Sequence, residues 1–130
     1  MEIQYLCPML MVFDMKESLK FYVDILGFEI HESAGEPDDV GWVWLTRGDL
    51  NLMLNTQYEM PDRPRHPEAS RMKAHDDTVL YLGCPDVDAA YHELVGKGLK
   101  CDPPQVAPYG MKQLYLHDPD GYGICFQWKT

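Results

Sequence analysis

The apolar residues of this chain change their spacing several times, and each change marks an element. Residues 3–13 are apolar and predict a strand. Asp14 then offers a helix N-cap, with Glu17 three places on in the capping-box position. Met15, Leu19, Tyr22 and Leu26 follow at i, i+4, i+7 and i+11, one stripe of an amphipathic helix, and Gly27 closes it as a left-handed C′ residue. Residues 28–33 predict a strand, and Gly35-Glu36-Pro37-Asp38-Asp39 a loop. Residues 40–46 and 50–55 form a hairpin around Gly48-Asp49. If that pair fills a two-residue turn, Trp44 lies opposite Met53 and Leu45 opposite Leu52. Val43, Leu45, Leu52 and Leu54 then share one face, and Trp42, Trp44, Asn51 and Met53 the other. A three-residue loop would swap the tryptophans across.

Residues 56–76 are charged, carry Pro61, Pro64 and Pro67, and show no period, so they read as a linker. The pattern then returns. Residues 78–84 predict a strand, Asp86 caps a helix with Val87, Ala90, Tyr91 and Leu94 on one face, and Gly98 ends it. Residues 99–102 predict a short strand, and residues 111–117 and 122–129 a closing hairpin around Asp118-Pro119-Asp120-Gly121. Gly27 to Gly98 and Leu19 to Ala90 are both 71 positions. Five elements repeated in one order make an internal repeat, which constrains the fold more than any single propensity does.

At 130 residues the chain fits one domain, with module 1 at 1–55, the linker at 56–76 and module 2 at 77–130. A net charge of −10 argues against nucleic acid or an anionic membrane as partner and is compatible with a cationic ligand. The first residues lack a basic start followed by an apolar run, and the longest apolar stretch, residues 6–13, is too short to span a bilayer. Cys7, Cys84, Cys101 and Cys125 form no CxxC pair and read as free thiols of a cytoplasmic protein.

Met11-Val12-Phe13-Asp14, then Ser18-Leu19-Lys20-Phe21-Tyr22 and Leu26-Gly27-Phe28, form one block, and Leu116-His117-Asp118-Pro119-Asp120-Gly121-Tyr122 forms another. Together they resemble the glyoxalase / bleomycin-resistance / extradiol-dioxygenase (vicinal oxygen chelate) superfamily over nearly the whole chain. The resemblance implies an α+β fold of two tandem βαβββ modules whose curled mixed sheets form a cup, and a homodimer. It is a signature of turns, caps and packing, informative about the fold and poor for the reaction. In metal-dependent members one ligand comes from the first strand and one from the fourth strand of each module. Those positions fall here on Cys7, Met53, Thr78 and Cys125. None is the His, Gln or Glu that such members use, so no metal and no cofactor is expected. A soft ion held by sulfur is the alternative to plain packing. Of the five histidines, only His117 has the strand parity to face the cup.

Period-two alternation places Cys7 and Met9; Trp42 and Trp44; Met53; Thr78 and Leu80; Gln113 and Tyr115; and Cys125 on the cup side, as the candidate ligand-binding residues. The opposite face is more uniformly apolar. A lining of aromatic, thioether and amide groups suits a flat, uncharged or weakly cationic ligand, unless the side chains fill the cup. The expected function is metal-independent small-molecule binding that sequesters a planar or cationic compound. The alternative is a superfamily enzyme, a lyase, isomerase or dioxygenase-like protein. It would work through side chains, Cys7 or Cys125 with Tyr115 or His117, or through a metal site elsewhere.

Overall fold

Alternation and capping produce the same five elements twice, and the computed structural model describes all residues 1–130. In the N-terminal unit, Met1–Pro67, β1 (Met9–Val12) leads into α1 (Met15–Leu19), which runs on as a π-helix over Lys20–Ile25. β2 (Glu29–Glu36), β3 (Asp39–Arg47) and β4 (Leu50–Thr56) complete a sheet ordered β1-β4-β3-β2, with β1 parallel to β4 and the other pairs antiparallel. In the C-terminal unit, Glu68–Thr130, α2 (Ala69–Ala74) and a 3-10 turn (His75–Asp77) precede β5 (Val79–Gly83) and α3 (Val87–Gly96). β6 (Gln105–Val106), β7 (Met111–His117) and β8 (Gly123–Lys129) follow, and the sheet order is β5-β8-β7-β6. The fold is α+β, with a four-stranded mixed sheet from each βαβββ module.

The Gly48-Asp49 hairpin has the two-residue register: Trp44 pairs with Met53 and Leu45 with Leu52. Three expectations need correction. The first strand spans only Met9–Val12, because residues 1–8 have no ladder partner beyond the Pro8 carbonyl, which accepts from the Met53 amide. Residues 99–102 form no strand; pairing in that arm begins at Gln105, opposite Gln113. The supposedly featureless segment 56–76 holds α2, whose end is tied to the β7–β8 turn by His75. That imidazole stacks on Tyr122 at 4.1 Å, and its Nδ1 lies 2.7 Å from the Asp120 carbonyl oxygen.

The cores follow the alternation. Val12, Val43, Leu45 and Leu54 are fully buried against Met15, Ser18, Phe21 and Tyr22 of the helix side, and Leu114, Leu116 and Ile124 against Val87 and Leu94. Each such aliphatic side chain contributes about 1.5–3 kcal/mol by leaving water. Asp14 caps α1 by accepting from the Lys16 and Glu17 amides at 3.1 and 3.4 Å, and Asp86 caps α3 by accepting from Ala89 at 2.9 Å.

The repeat is not in constant phase. The two N-caps, Asp14 and Asp86, are 72 positions apart, but the C′ glycines Gly27 and Gly98 are 71 apart. The missing residue lies in the helices. In the first, the Leu26 amide bonds the Phe21 carbonyl and Phe28 reaches back to Tyr22, rings wider than an α-turn. The second helix ends in a Schellman closure, Leu99 to Leu94 and Gly98 to Val95. The π-turn therefore absorbs one extra residue in module 1, which also brings Phe21 and Tyr22 inward together. The longer second hairpin restores the phase, since Met53 and Cys125 are again 72 apart.

Candidate functional site

In the N-terminal unit, the sheet face turned away from the helix is set by two cross-strand rows. Met9 pairs with Met53 and Met53 with Trp44; Met11 pairs with Asn55 and Asn55 with Trp42. Cys7 lies two residues before Met9 and is half-buried. The Trp44 indole Nε1 donates to Asn51 Oδ1 at 3.0 Å, which holds the ring by its polar edge. Tyr5 lies over it at 5.8 Å with planes tilted 31°, and His31 meets it edge-on at 5.0 Å. Four expected residues, Met9, Trp42, Trp44 and Met53, thus share one face, and Cys7 precedes the strand that carries Met9.

His31 was missed, because among the five histidines the sequence gave only His117 the parity to face a ligand. A β-bulge between Ile30 and Glu32 sets both His31 and Glu32 against the Trp44 row. A bulge inserts one residue without changing composition, so no residue pattern signals it. His117 has the expected parity but is tied by Nε2 to Asp76 Oδ1 at 2.7 Å.

The open face of the C-terminal unit departs further. Tyr81 pairs with Cys125 and Cys125 with Tyr115, whereas Leu80 pairs with Ile124 and Ile124 with Leu116. Leu80, and Thr78 by the same alternation, therefore lie on the helix side, and Tyr81 takes the open position. The error has a physical source. Val79-Leu80-Tyr81-Leu82 is apolar without alternation, so its parity was carried over from the helical offset of 71, one residue out of phase with the strands.

Gln113, Tyr115 and Cys125 are on the open face as expected, and they are linked. The Tyr81 and Tyr115 hydroxyls lie 2.8 Å apart. Tyr109 OH donates to Gln113 Oε1 at 3.1 Å, and Gln113 Nε2 donates to Gln127 Oε1 at 2.9 Å. A cleft of about 390 Å³ opens here, lined by Asp102, Gln105, Val106, Gln113 and Tyr115 among others. A smaller one, about 170 Å³, sits beside the first turn of α1 in the N-terminal unit and contains none of the expected residues.

The Cys7 and Cys125 thiols stay protonated at neutral pH. Burial pushes the Cys7 thiol up, and burial pushes Cys125 up against the opposing effect of hydrogen bonds from Tyr115 and the Leu114 backbone. The Tyr115 hydroxyl is raised well above its ordinary value by its hydrogen bond to Tyr81, then by desolvation and by Cys125. Neither thiol has the electropositive setting that makes a nucleophile.

A profile of the Glyoxalase/Bleomycin resistance protein/Dioxygenase superfamily matches residues 3–126. The chain belongs to that superfamily. It is 33% identical over 117 residues to the uncharacterized protein YaeR of Escherichia coli strain K12, covering 83% of this chain and 82% of that protein. Among solved structures it is similar to TnmS3, an antibiotic binding protein from Streptomyces sp. CB03234, with 22% identity, a TM-score of 0.69 and coverage of 99% and 98%. It is likewise similar to the bleomycin-binding protein of bleomycin-producing Streptomyces verticillus, solved with copper(II)-bleomycin, at 22% identity, a TM-score of 0.67 and coverage of 97% and 96%. At such identities these two likenesses establish the fold alone.

For a superfamily member, the donor set is unusual. With the strand offset corrected to 72, the counterpart of Cys7 is Val79 rather than Thr78. The four positions are then two thiols, a thioether and an isopropyl group, which do not fit a hard or borderline divalent ion. No group of three or more His, Cys, Asp or Glu side chains is placed to hold a metal. No helix is long and apolar enough to cross a membrane.

Proposed function

We propose that this chain is a metal-independent small-molecule binding protein that sequesters a planar or cationic compound. Cys7, Met9, Trp42, Trp44 and Met53 form the contact surface on the N-terminal unit, and Gln113 and Tyr115 on the C-terminal unit, with Cys125 buried beneath them rather than in contact with the ligand. The observation that carries the reading is the Trp44–Met53–Met9 row: aromatic and thioether groups on the strand face that the helix does not cover. The antibiotic-binding and bleomycin-binding proteins of the same fold support the kind of ligand. The excess of acidic residues favours cations over anions. The working species is a homodimer, in which exposed Ile3, Tyr5, Leu6 and Met9 have a surface to cover them. The enzymatic alternative through Cys7 or Cys125 has less support, because both thiols are raised.

Titrating fluorene and the cation of 9-aminoacridine while following tryptophan fluorescence tests the reading. Binding should quench the signal, and Trp44→Ala should weaken it by roughly 1–3 kcal/mol with thermal stability retained. A stability loss with unchanged binding would place Trp44 in the core and reject the proposal. Light scattering giving a 15.0 kDa particle at micromolar concentration would reject the dimer.

A further inference from the structure

The open face of the C-terminal unit has a hydrogen-bond polarity that can be counted proton by proton. Tyr109 OH donates to Gln113 Oε1, and Gln113 Nε2 donates to Gln127 Oε1. Each amide oxygen thereby accepts one hydrogen bond and keeps a second lone pair, while the Gln127 amide keeps both its protons and Gln113 keeps one. Tyr81 and Tyr115 own two hydroxyl protons and share a single hydrogen bond. Whichever hydroxyl donates, one proton is left over. When that proton is Tyr115's, it reaches the Cys125 sulfur, a weak acceptor that a carbonyl oxygen outcompetes.

These groups are anchored from below and open above. Gln113 is 8% exposed and Cys125 fully buried, whereas Tyr81 and Tyr115 are about half exposed, at 52% and 47%. Gln113 and Tyr115 also line the 390 Å³ cleft, whose charged lining residue is Asp102. A carboxylate there, in a chain of net charge −10, repels an anionic acceptor.

We infer that this face is a hydrogen-bond donor surface whose spare tyrosine hydroxyl proton takes an uncharged acceptor of the ligand: a ketone, amide or quinone-type carbonyl oxygen. The inference rests on the sequestration reading above and adds the chemical class of the group that the C-terminal unit recognises. Chains of hydrogen bonds polarise their terminal protons, so a carbonyl placed there bonds more strongly than one bonding to an isolated hydroxyl.

Three flat molecules of nearly one shape separate the possibilities: 9-fluorenone carries an acceptor, carbazole a donor, and fluorene neither. Equilibrium dialysis should rank fluorenone about tenfold tighter than fluorene, with carbazole no tighter than fluorene. The infrared carbonyl stretch of bound fluorenone should fall below its value in hydrocarbon. Tyr81→Phe with Tyr115→Phe, a pair of changes that removes only the two hydroxyls, should abolish the stretch shift and bring fluorenone and fluorene to equal affinity. Equal binding of all three without a shift overturns the donor assignment and leaves sequestration standing. So does a shift that survives the double substitution, or carbazole binding tightest. Failure of all three to bind overturns both.

Discussion

The two units share one sheet topology and one distribution of buried aliphatic residues, yet their open faces have little in common. In the N-terminal unit that face is aromatic and sulfur-rich, with Trp44 held by Asn51 and flanked by Tyr5 and His31. In the C-terminal unit it is a network of phenols and amides, Tyr81–Tyr115 and Tyr109–Gln113–Gln127. The faces packed on helices are alike because burial admits few alternatives to Leu, Val and Ile. The open faces are released from that demand, so each can be chemically specialised without cost to the fold. The helices differ too, one widened by a π-turn and the other closed regularly.

Equivalence of the two cores should show in the largest effects. Leu45 and Leu116 occupy matching strand positions and are 0% and 5% exposed. Alanine at either should cost about 2–5 kcal/mol in chemical denaturation, and the two costs should be similar. A cost below about 1 kcal/mol at one of them would break the equivalence. Two glycines of the C-terminal unit should give the next largest effects. Gly98 has φ +91° with open space around it, so Gly98→Ala should cost about 1–2 kcal/mol for the left-handed backbone. Gly121 has φ +88°, and a Cβ there would lie 2.5 Å from the Met72 carbonyl oxygen. Gly121→Ala should cost about 1–3 kcal/mol more than Gly98→Ala. Equal costs in melting experiments would mean that the segment carrying Met72 is not seated on the turn.

The π-turn can be removed directly. Deleting the exposed Asp24 should let the first helix close as the second does, with a cost near 1 kcal/mol, the scale of one rearranged hydrogen bond. Loss of fold on that deletion would show that the extra residue is required by the packing of Phe21 and Tyr22. The smallest effect concerns alkaline pH. Cys7, Cys125 and Tyr115 have folded-state pKa values raised above their ordinary values of 9.0 for the thiols and 10.0 for the phenol. Their contribution to stability is complete below those values and is lost as pH rises through the folded ones. The melting temperature should therefore fall as pH climbs above about 9, and Cys125→Ala should make the fall shallower. A flat profile would contradict the burial of that thiol.

Wherever alternation was clean, the amino-acid sequence alone determined the outcome. The Trp44–Met53 register, the capped helix starts at Asp14 and Asp86, the repeat and the buried aliphatic rows were all legible, because one face of each element had to leave water. Four features were decided only by the tertiary structure. β5 is apolar on both sides, so only its pairing with β8 shows that Tyr81 rather than Leu80 faces outward. The bulge at His31 and the π-turn after Leu19 each insert one residue, and an insertion carries no compositional mark. The hydrogen-bond chains through Tyr115 and Gln113 join residues far apart in the chain, and their direction depends on which atoms meet. Hydrophobic burial acts on residue type and is visible in one dimension; register and proton direction are relations between residues and exist only once the strands have paired.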